Sequence, residues 1–297
     1  MPVGTRHPFL CIRAVAADEW HRPVYSGHVT TLPPSFSASE SHQARQIAES
    51  FGADAERYDR SRPGYPQALV DAIVAASPGL DVLDVGVGTG ISARGFEAAG
   101  CRVLGVEPDA RMAEFARRAG TRVEVAKFEE WDPVGRSFDA VISGQAWHWV
   151  DPVAGEAKAA QLLRPAGRLA VFWNAFLFPP ELAESFAAIY RRVLPDSPAF
   201  RGEASGVAAY SAFFAKTTDG ILQAGSFGAP EQWRFDWERP YTRDEWIDSV
   251  PTAGGFNLLP TEKLQGLLEG IGEAIDSVGG SFTMGYAAVV VTAARAA

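Results

Sequence analysis

A glycine-rich stretch between a short apolar run and a helical pattern has the residue types needed to bind a nucleoside. The run at 82–85 is followed by three glycines spaced G-x-G-x-G, Gly86, Gly88 and Gly90. Glycines at such a turn allow positive φ angles and let a ligand approach the main chain where a Cβ would collide. A second apolar run ends in Glu107, whose carboxylate could accept hydrogen bonds from both hydroxyls of a ribose. The turn and the acid together predict a nucleoside cofactor.

The spacing of these glycines disfavours one large class of nucleoside cofactors. The dinucleotide fingerprint G-x-G-x-x-G would need a glycine where Ile91 stands. The chain also lacks a Tyr-x-x-x-Lys pair, which would support an oxidoreductase. An NAD(P)-dependent oxidoreductase is therefore kept as the alternative enzyme class.

Four stretches of the chain carry a resemblance to a known family. They are D-V-G-V-G-T-G at 84–90, G-V-E-P-D at 105–109, S-R-P-G-Y-P at 61–66 and Q-A-W-H-W-V-D-P at 145–152. This set resembles the motifs of class I S-adenosylmethionine-dependent methyltransferases, in the small-molecule branch that includes trans-aconitate methyltransferase-like proteins. The resemblance runs from about Gln43 to the C-terminus. Val87 departs from it, since the family usually has a small or sulfur-bearing residue there.

The resemblance implies methyl transfer from S-adenosylmethionine to a small-molecule acceptor, with a carboxylate or hydroxyl oxygen as the expected acceptor atom. The cofactor carries an activated methyl group on a sulfonium. The protein must therefore hold the nucleophile in line with the carbon–sulfur bond and exclude water. A protein that binds S-adenosylmethionine without catalysis is a further alternative.

The resemblance also implies which residues contact the cofactor. Asp84 is expected to orient the methionine amino group, and Glu107 to take the ribose hydroxyls. Phe128 is expected against the adenine, or only in packing, and Glu129 is expected to accept from the exocyclic amine. Arg62 is expected at the methionine carboxylate, or only as a surface cation. The predicted cofactor contacts are Tyr58, Arg62, Asp84, Gly86, Gly88, Gly90, Glu107, Phe128, Glu129 and Gln145.

The segment 145–149 follows an apolar strand pattern and is predicted to border the acceptor. Ligands in open α/β sheets bind at the carboxyl ends of the strands. His148 could be a general base near neutral pH, or a structural histidine, and methyl transfer to a carboxylate needs no base. Trp147 and Trp149 are predicted to pack against the cofactor and a cap, or to contact the substrate.

Alternating strand and helix patterns must position these residues. Strands at 81–86, 102–106, 121–125, 138–143 and 167–173, separated mostly by helical patterns, predict a parallel sheet with right-handed crossovers. We expect an α/β, Rossmann-like class I methyltransferase fold. It would have a seven-stranded, mostly parallel sheet, a helical cap insertion and a final antiparallel strand at 282–292.

Changes of pattern along the chain suggest four parts. These are an irregular extension at 1–40, the cofactor-binding part of the core at 41–174, a helical cap at 175–230 and the rest of the core at 231–297. A helix that carries Ile47, Phe51, Ala55 and Tyr58 on one face is predicted to cover the nucleoside. Helices are also predicted at 182–193 and 207–214. Four arginines could meet an anionic substrate, Arg191, Arg192, Arg201 and Arg243.

Composition narrows the possible partners. The net charge of −9 disfavours nucleic acid, because phosphate binding needs clustered Lys and Arg. Two cysteines and histidines without ligand spacing predict neither disulfides nor a metal site, and no apolar run is long enough for a membrane span. The expectation is a cytoplasmic protein that acts on a small molecule.

Overall fold

Seven strands form one sheet in the computed structural model, which describes residues 50–195, 206–253 and 255–296. The strands are β1 Asp81–Val85, β2 Arg102–Glu107, β3 Arg122–Val125, β4 Phe138–Gly144, β5 Leu163–Leu177, β6 Glu231–Thr242 and β7 Ser281–Ala294. The strand order is β3-β2-β1-β4-β5-β7-β6, and every pairing is parallel except the two that β7 makes. The predicted fold class is confirmed, including the antiparallel last strand.

Helices cover both faces of the sheet because successive strand residues point to opposite sides. The helices are α1 Ala55–Ser61, α2 Gln67–Ala75, α3 Ile91–Ala98, α4 Ala110–Arg118, α5 Ala154–Leu162, α6 Pro180–Val193, α7 Ser211–Ala224, α8 Arg243–Ser249 and α9 Thr261–Ser277. In β1, Val82 packs into the apolar cluster beneath α2, α3 and α4, whereas Leu83 packs into the cluster beneath α5 and α7.

Strands β5, β6 and β7 continue beyond the point where β4 ends. The last β4 pair joins Gly144 to Phe172, but β5 pairs with β7 as far as Leu177 and Gly285. This overhang carries a third apolar cluster, in which α6, α8 and α9 contribute Phe186, Trp246 and Ile271. The overhang therefore places aromatic side chains above the carboxyl ends of the parallel strands.

Several predicted boundaries are wrong. Strand β5 extends four residues past the predicted end at 173. The sequence pattern W-R-F-D-W predicts a strand only at 233–237, whereas β6 spans Glu231–Thr242. The helix predicted at 207–214 is a 3-10 turn, Gly206–Tyr210, followed by the longer α7. The predicted N-terminal helix is interrupted at Asp54, whose backbone is non-helical and whose side chain caps α1. The predicted extension at 1–40 and residues 41–49 lie outside the described residues.

Within the part of the chain that the structure describes, no helix is long and apolar enough to cross a membrane. The same residues contain no cluster of three or more histidine, cysteine or acidic side chains that could hold a metal ion.

Candidate active site

The glycine turn follows β1 and has the backbone conformation that only glycine adopts at low cost. Gly86, Gly88 and Gly90 have φ angles of 68°, 57° and 90°, in the left-handed region. A Cβ on Gly86 would lie 2.5 Å from the Cβ of Ala146. The turn thus packs directly against the segment after β4, and its backbone is left open towards a ligand.

The one departure from the family motif is accommodated by a neighbouring glycine. The side chain of Val87 is buried and faces β2 at Gly105, where a Cβ would lie 2.5 Å from Val87 Cγ1. Since Gly105 lacks a side chain, the valine fits beneath the turn. We therefore expect Val87 to have little effect on the motif.

Asp84 is the buried acid beneath the turn. Its Oδ2 accepts a hydrogen bond of 2.5 Å from Ser92 Oγ, and its Oδ1 has no partner among the described residues. Burial, together with the nearby charge of Glu107, raises the pKa of Asp84 to about 7. A buried acceptor without a donor suits a cationic ligand, because an ammonium group supplies both the hydrogen bond and the opposite charge.

Glu107 ends β2 and is held by the backbone. Its Oε2 accepts from the Gly88 N–H and its Oε1 from the Asp109 N–H, both at 2.9 Å. Burial raises the pKa of Glu107 to about 7. Each carboxylate oxygen keeps a second lone pair, so two further donors, such as ribose hydroxyls, can be accommodated.

The glycine turn borders a small cavity of about 50 Å³. Of the predicted cofactor residues, Tyr58, Arg62, Gly86, Gly88 and Gln145 line it. Asp84 and Glu107 lie behind it and reach it through the lining residues Ser92 and Gly88.

Two further polar residues of the small cavity were missed in the sequence. Thr89 is buried with an Oγ1 that has no partner among the described residues. Asn174, just past the predicted end of β5, donates to the Gly64 carbonyl at 2.9 Å and accepts from Trp237 Nε1 at 3.1 Å. The only sequence signal for Asn174 is an amide at the end of an apolar strand.

A larger cavity of about 110 Å³ lies next to the small one, beneath the overhang. Twelve of its twenty lining residues are phenylalanine, tyrosine or tryptophan. They come from α1, β5, α6, α7, β6, α8, β7 and four 3-10 turns, so segments far apart in sequence build one wall.

The two cavities share five lining residues, Tyr58, Arg62, Pro63, Gln145 and Phe176. The guanidinium carbon of Arg62 lies 5.2 Å from the centre of the Tyr58 ring. Gln145 has a positive φ of 58°, and its backbone N–H bonds to Phe172. We call these five shared residues the partition, because they separate a polar, glycine-lined cavity from an aromatic one.

His148 lines the large cavity but lacks the properties of a base near neutral pH. Burial, together with the charge of Lys216, lowers the pKa of His148 to about 3. Trp173 Nε1, which can only donate, lies 3.4 Å from His148 Nδ1. The neutral imidazole therefore accepts at Nδ1 and carries its proton on Nε2. Of the two predicted roles, the structure favours that of a positioned, neutral histidine.

The two predicted tryptophans point in different directions. Trp149 lines the large cavity, whereas Trp147 is buried in the core and donates to Glu156 Oε1 at 2.9 Å. The interpretation of Trp147 as a substrate contact is not retained. The 3-10 turn Trp147–Trp149 separates the two side chains.

The predicted adenine contacts are both engaged within the protein. Phe128 is buried, and its ring centre lies 5.8 Å from that of Trp147. Glu129 Oε1 accepts from the Asp151 N–H at 2.7 Å. Neither residue lines either cavity. The packing alternative for Phe128 agrees with this placement.

Helix α1 connects the two halves of the site. Asp59 pairs with Arg94 of α3 at 2.7 Å, while Arg57 and Arg60 both pair with Asp248 of α8 at 2.9 Å. Gly52, in the turn before α1, lies so close to Asp109 that a Cβ would collide with its carboxylate. The segment thus covers the edge of the glycine turn, where the sequence predicted a cover for the nucleoside.

The fold and the site together define a class of protein. A glycine turn after β1, an acid at the end of β2 and the strand order 3-2-1-4-5-7-6 are those of the Rossmann-like class I methyltransferases. A candidate type II methyltransferase from Anaeromyxobacter dehalogenans has a similar fold. Its TM-score is 0.52 at 20% identity, over 78% of this chain and 97% of that one.

Comparisons of the sequence identify the family. A family model described as a methyltransferase domain matches residues 83–171. An uncharacterized methyltransferase of Geobacillus kaustophilus is 31% identical over 147 residues, which cover 44% of this chain and 68% of that protein. The chain therefore belongs to the methyltransferase family. An uncharacterized methyltransferase of Mycobacterium tuberculosis is 38% identical over 132 residues, 44% of this chain and 54% of that protein. The chain thus spans about half the length of the mycobacterial relatives it matches.

Proposed function

We propose that the protein transfers the methyl group of S-adenosylmethionine to an oxygen of a small-molecule acceptor. The observation that carries the proposal is the pair of adjoining cavities with a shared partition. One cavity has the polar backbone cradle of a cofactor site, and the other has an aromatic wall. The trans-aconitate branch and a cytoplasmic location stay predictions.

The residues of the small cavity fit the cofactor's methionine and ribose. Asp84 Oδ1 and Thr89 Oγ1 are buried and lack partners among the described residues, so they can meet the ammonium and carboxylate groups. Arg62, which forms no ion pair with an acidic side chain in the described part of the chain, supplies a cation for that carboxylate. Glu107 retains lone pairs for the ribose hydroxyls. When bound, the cofactor supplies an electrophilic methyl group, and the partition would align the acceptor with it.

The charges of the large cavity favour an oxygen acceptor that arrives ionised. An amine that arrives as an ammonium ion must lose a proton before attack, and His148, with its pKa of about 3, does not provide a base for it near neutral pH. No aspartate or glutamate lines the cavity among the described residues. A carboxylate or an acidic phenol needs no base, so the absence of one is no obstacle to the reaction.

The proposal is tested by incubating the protein with cofactor labelled in its methyl group and a panel of carboxylic acids, phenols and amines. Binding of S-adenosylmethionine and NADH is measured in parallel by calorimetry. Label in a carboxylic acid or phenol supports the proposal. Tight NADH binding would instead support an oxidoreductase, and cofactor binding without label in any acceptor class would support the non-catalytic alternative.

A further inference from the structure

We propose that the large cavity takes a planar aromatic acceptor that carries one oxygen group and at most one negative charge. This inference rests on the proposed methyl transfer and names the substrate class of the same site. It differs from the polyacid substrates that the predicted branch of the family would suggest.

The wall of the cavity is matched to flat apolar rings. Its aromatic rings meet one another edge to face or stacked, as for Phe176 with Trp246 at 6.3 Å and 82°, and Tyr190 with Phe256 at 5.8 Å and 17°. Aromatic pairs in such geometries gain energy beyond the area they bury. A planar ring system can join this packing on both faces, whereas a flexible aliphatic acid leaves the wall without a partner.

The large cavity has too few cationic side chains to bind a polyanion well. Among the described residues that line the cavity, Arg62 is the single charged side chain, and it also faces the small cavity. The arginines predicted to meet an anionic substrate lie elsewhere: Arg191 and Arg192 are exposed on α6 and do not line the cavity. Arg243 pairs with Asp244 and Asp276 at 3.1 and 3.0 Å, and Arg201 lies outside the described residues. Extra carboxylates would therefore be buried without partners, which is costly.

One corner of the cavity offers a buried donor for a single oxygen group. The hydroxyls of Tyr241 and Tyr286 lie 2.7 Å apart, and both side chains are buried. One hydroxyl donates to the other, so the accepting hydroxyl keeps a hydrogen with no further acceptor among the described residues. That hydrogen can be donated to an oxygen of a ligand.

Two guanidinium groups make this corner attractive to one negative charge. The positive charges of Arg62 and Arg239 both favour negative charge at the two tyrosine hydroxyls. Arg239 donates to the Arg62 carbonyl at 3.3 Å, and its guanidinium lies 4.5 Å from the centre of the Tyr241 ring. The geometry favours a carboxylate or phenolate oxygen in this corner, with its ring against the aromatic wall.

The first test compares binding of matched probes to the full-length protein by calorimetry, with S-adenosylhomocysteine present. The probes are naphthalene-2-carboxylate, naphthalene and propane-1,2,3-tricarboxylate. We expect naphthalene-2-carboxylate to bind at least tenfold more tightly than the tricarboxylate. Equal or tighter binding of the tricarboxylate would overturn the inference.

The second test removes the donor with the double variant Tyr241→Phe/Tyr286→Phe. Because both partners of one hydrogen bond are replaced by the same shape, no orphaned polar group is left and the fold should persist. Affinity for naphthalene-2-carboxylate should fall about tenfold, in line with a lost hydrogen bond to a charged group. Affinity for naphthalene, which has no oxygen, should not change.

Tyr190→Phe is the matched control, since it removes a hydroxyl from the same wall but not from the pair. It should leave the affinity for naphthalene-2-carboxylate within threefold. If the double variant does not fold, Arg239→Gln, at a half-buried position, tests the same corner and should weaken the carboxylate probe alone. Wild-type affinity for that probe in a folded double variant would contradict the assignment.

These binding tests do not depend on catalysis. Labelled methyl transfer to the tricarboxylate would overturn the inference while supporting the proposed function. Tight binding of the carboxylate probe without any bound S-adenosylmethionine or transferred label would overturn the proposed function and leave the cavity's ligand class intact.

Discussion

The two cavities of the site are built in opposite ways. Six of the fourteen residues that line the small cavity come from one short stretch, 86–92, where glycines adopt φ angles open to few other residues. The large cavity is made from side chains on segments as distant as Phe51 and Tyr286. The first arrangement accepts one ligand and tolerates little change. The second can be altered residue by residue, which allows related chains to keep the cofactor and vary the acceptor.

The strongest test of this contrast is Gly86→Ala. A positive φ costs about 1–2 kcal/mol for a non-glycine residue, and the collision with Ala146 adds about 1–3 kcal/mol. We expect the free energy of unfolding, measured in urea, to fall by the sum of these two costs, about 2–5 kcal/mol. We also expect cofactor binding to be lost. Gly225→Ala is the control, since φ there is also positive, at 64°, but an added Cβ would have no neighbouring atom within 4 Å. Equal destabilisation by both variants would show that the contact with Ala146 does not matter.

The next test addresses the acid beside the glycine turn. Glu107→Gln should weaken S-adenosylmethionine binding by about 1.5–3 kcal/mol, the range for hydrogen bonds to a charged group. Glu114→Gln removes a carboxylate that is 58% exposed on α4 and serves as the control. Calorimetry on folded protein checks both variants. Unchanged affinity in Glu107→Gln would remove the residue from the cofactor site.

The buried acids also predict a pH dependence of binding. In the free protein, burial raises the pKa of Asp84 from 3.8 to about 7, so this carboxyl holds a proton that the unfolded chain has lost. Its contribution to stability is therefore lost as pH rises towards 7. A cationic ligand favours the ionised carboxylate, so cofactor binding should release protons. Below pH 7, the affinity for the cofactor should therefore increase as pH rises, by up to about tenfold per pH unit for each proton released.

Calorimetry in buffers of different ionisation enthalpy measures that proton release. Asp84→Asn should reduce it, leaving the part that Glu107 contributes, because its pKa is also raised to about 7. The same proton release in wild type and Asp84→Asn would show that Asp84 does not titrate with binding.

The smallest effect is expected in the large cavity, at His148. Since its pKa is about 3, His148→Gln should change kcat by far less than the about 10²–10⁴-fold of a positioned base. The pH profile of kcat between about pH 6 and 9 should keep its shape, because the imidazole does not titrate there. Disappearance of an acid limb in the variant would reinstate His148 as a base.

The difference between the cavities also explains what the sequence could predict. Strands β1, β2 and β3 lie within one or two residues of their predicted bounds, because apolar runs and glycine turns are local patterns. The glycine turn that borders the small cavity follows from the same local signals, whereas Asn174 of that cavity does not. By contrast, Trp147 and Trp149 are two residues apart yet enter the core and the cavity respectively, and only the 3-10 turn decides this.

The aromatic cavity itself could not be predicted as a unit. The overhang of β5 beyond β4 depends on pairing with β7, over one hundred residues later in the chain. The strand predicted at 282–292 includes Tyr286, but no predicted strand includes Tyr241, and no local pattern shows that the two hydroxyls meet. Long-range register of this kind is absent from any local pattern.

The partition at Arg62 has a consequence for turnover. In the proposed reaction with a carboxylate, the acceptor loses its negative charge on methylation and the cofactor loses its positive charge at sulfur. Before transfer, opposite charges attract across the partition; afterwards, both reacting ends are neutral and that attraction is gone. The products should then dissociate more readily than the substrates do. S-adenosylhomocysteine keeps the amino-acid charges proposed to meet Asp84 and Arg62. Product inhibition should accordingly depend less on ionic strength than substrate capture, which should weaken further as salt is added.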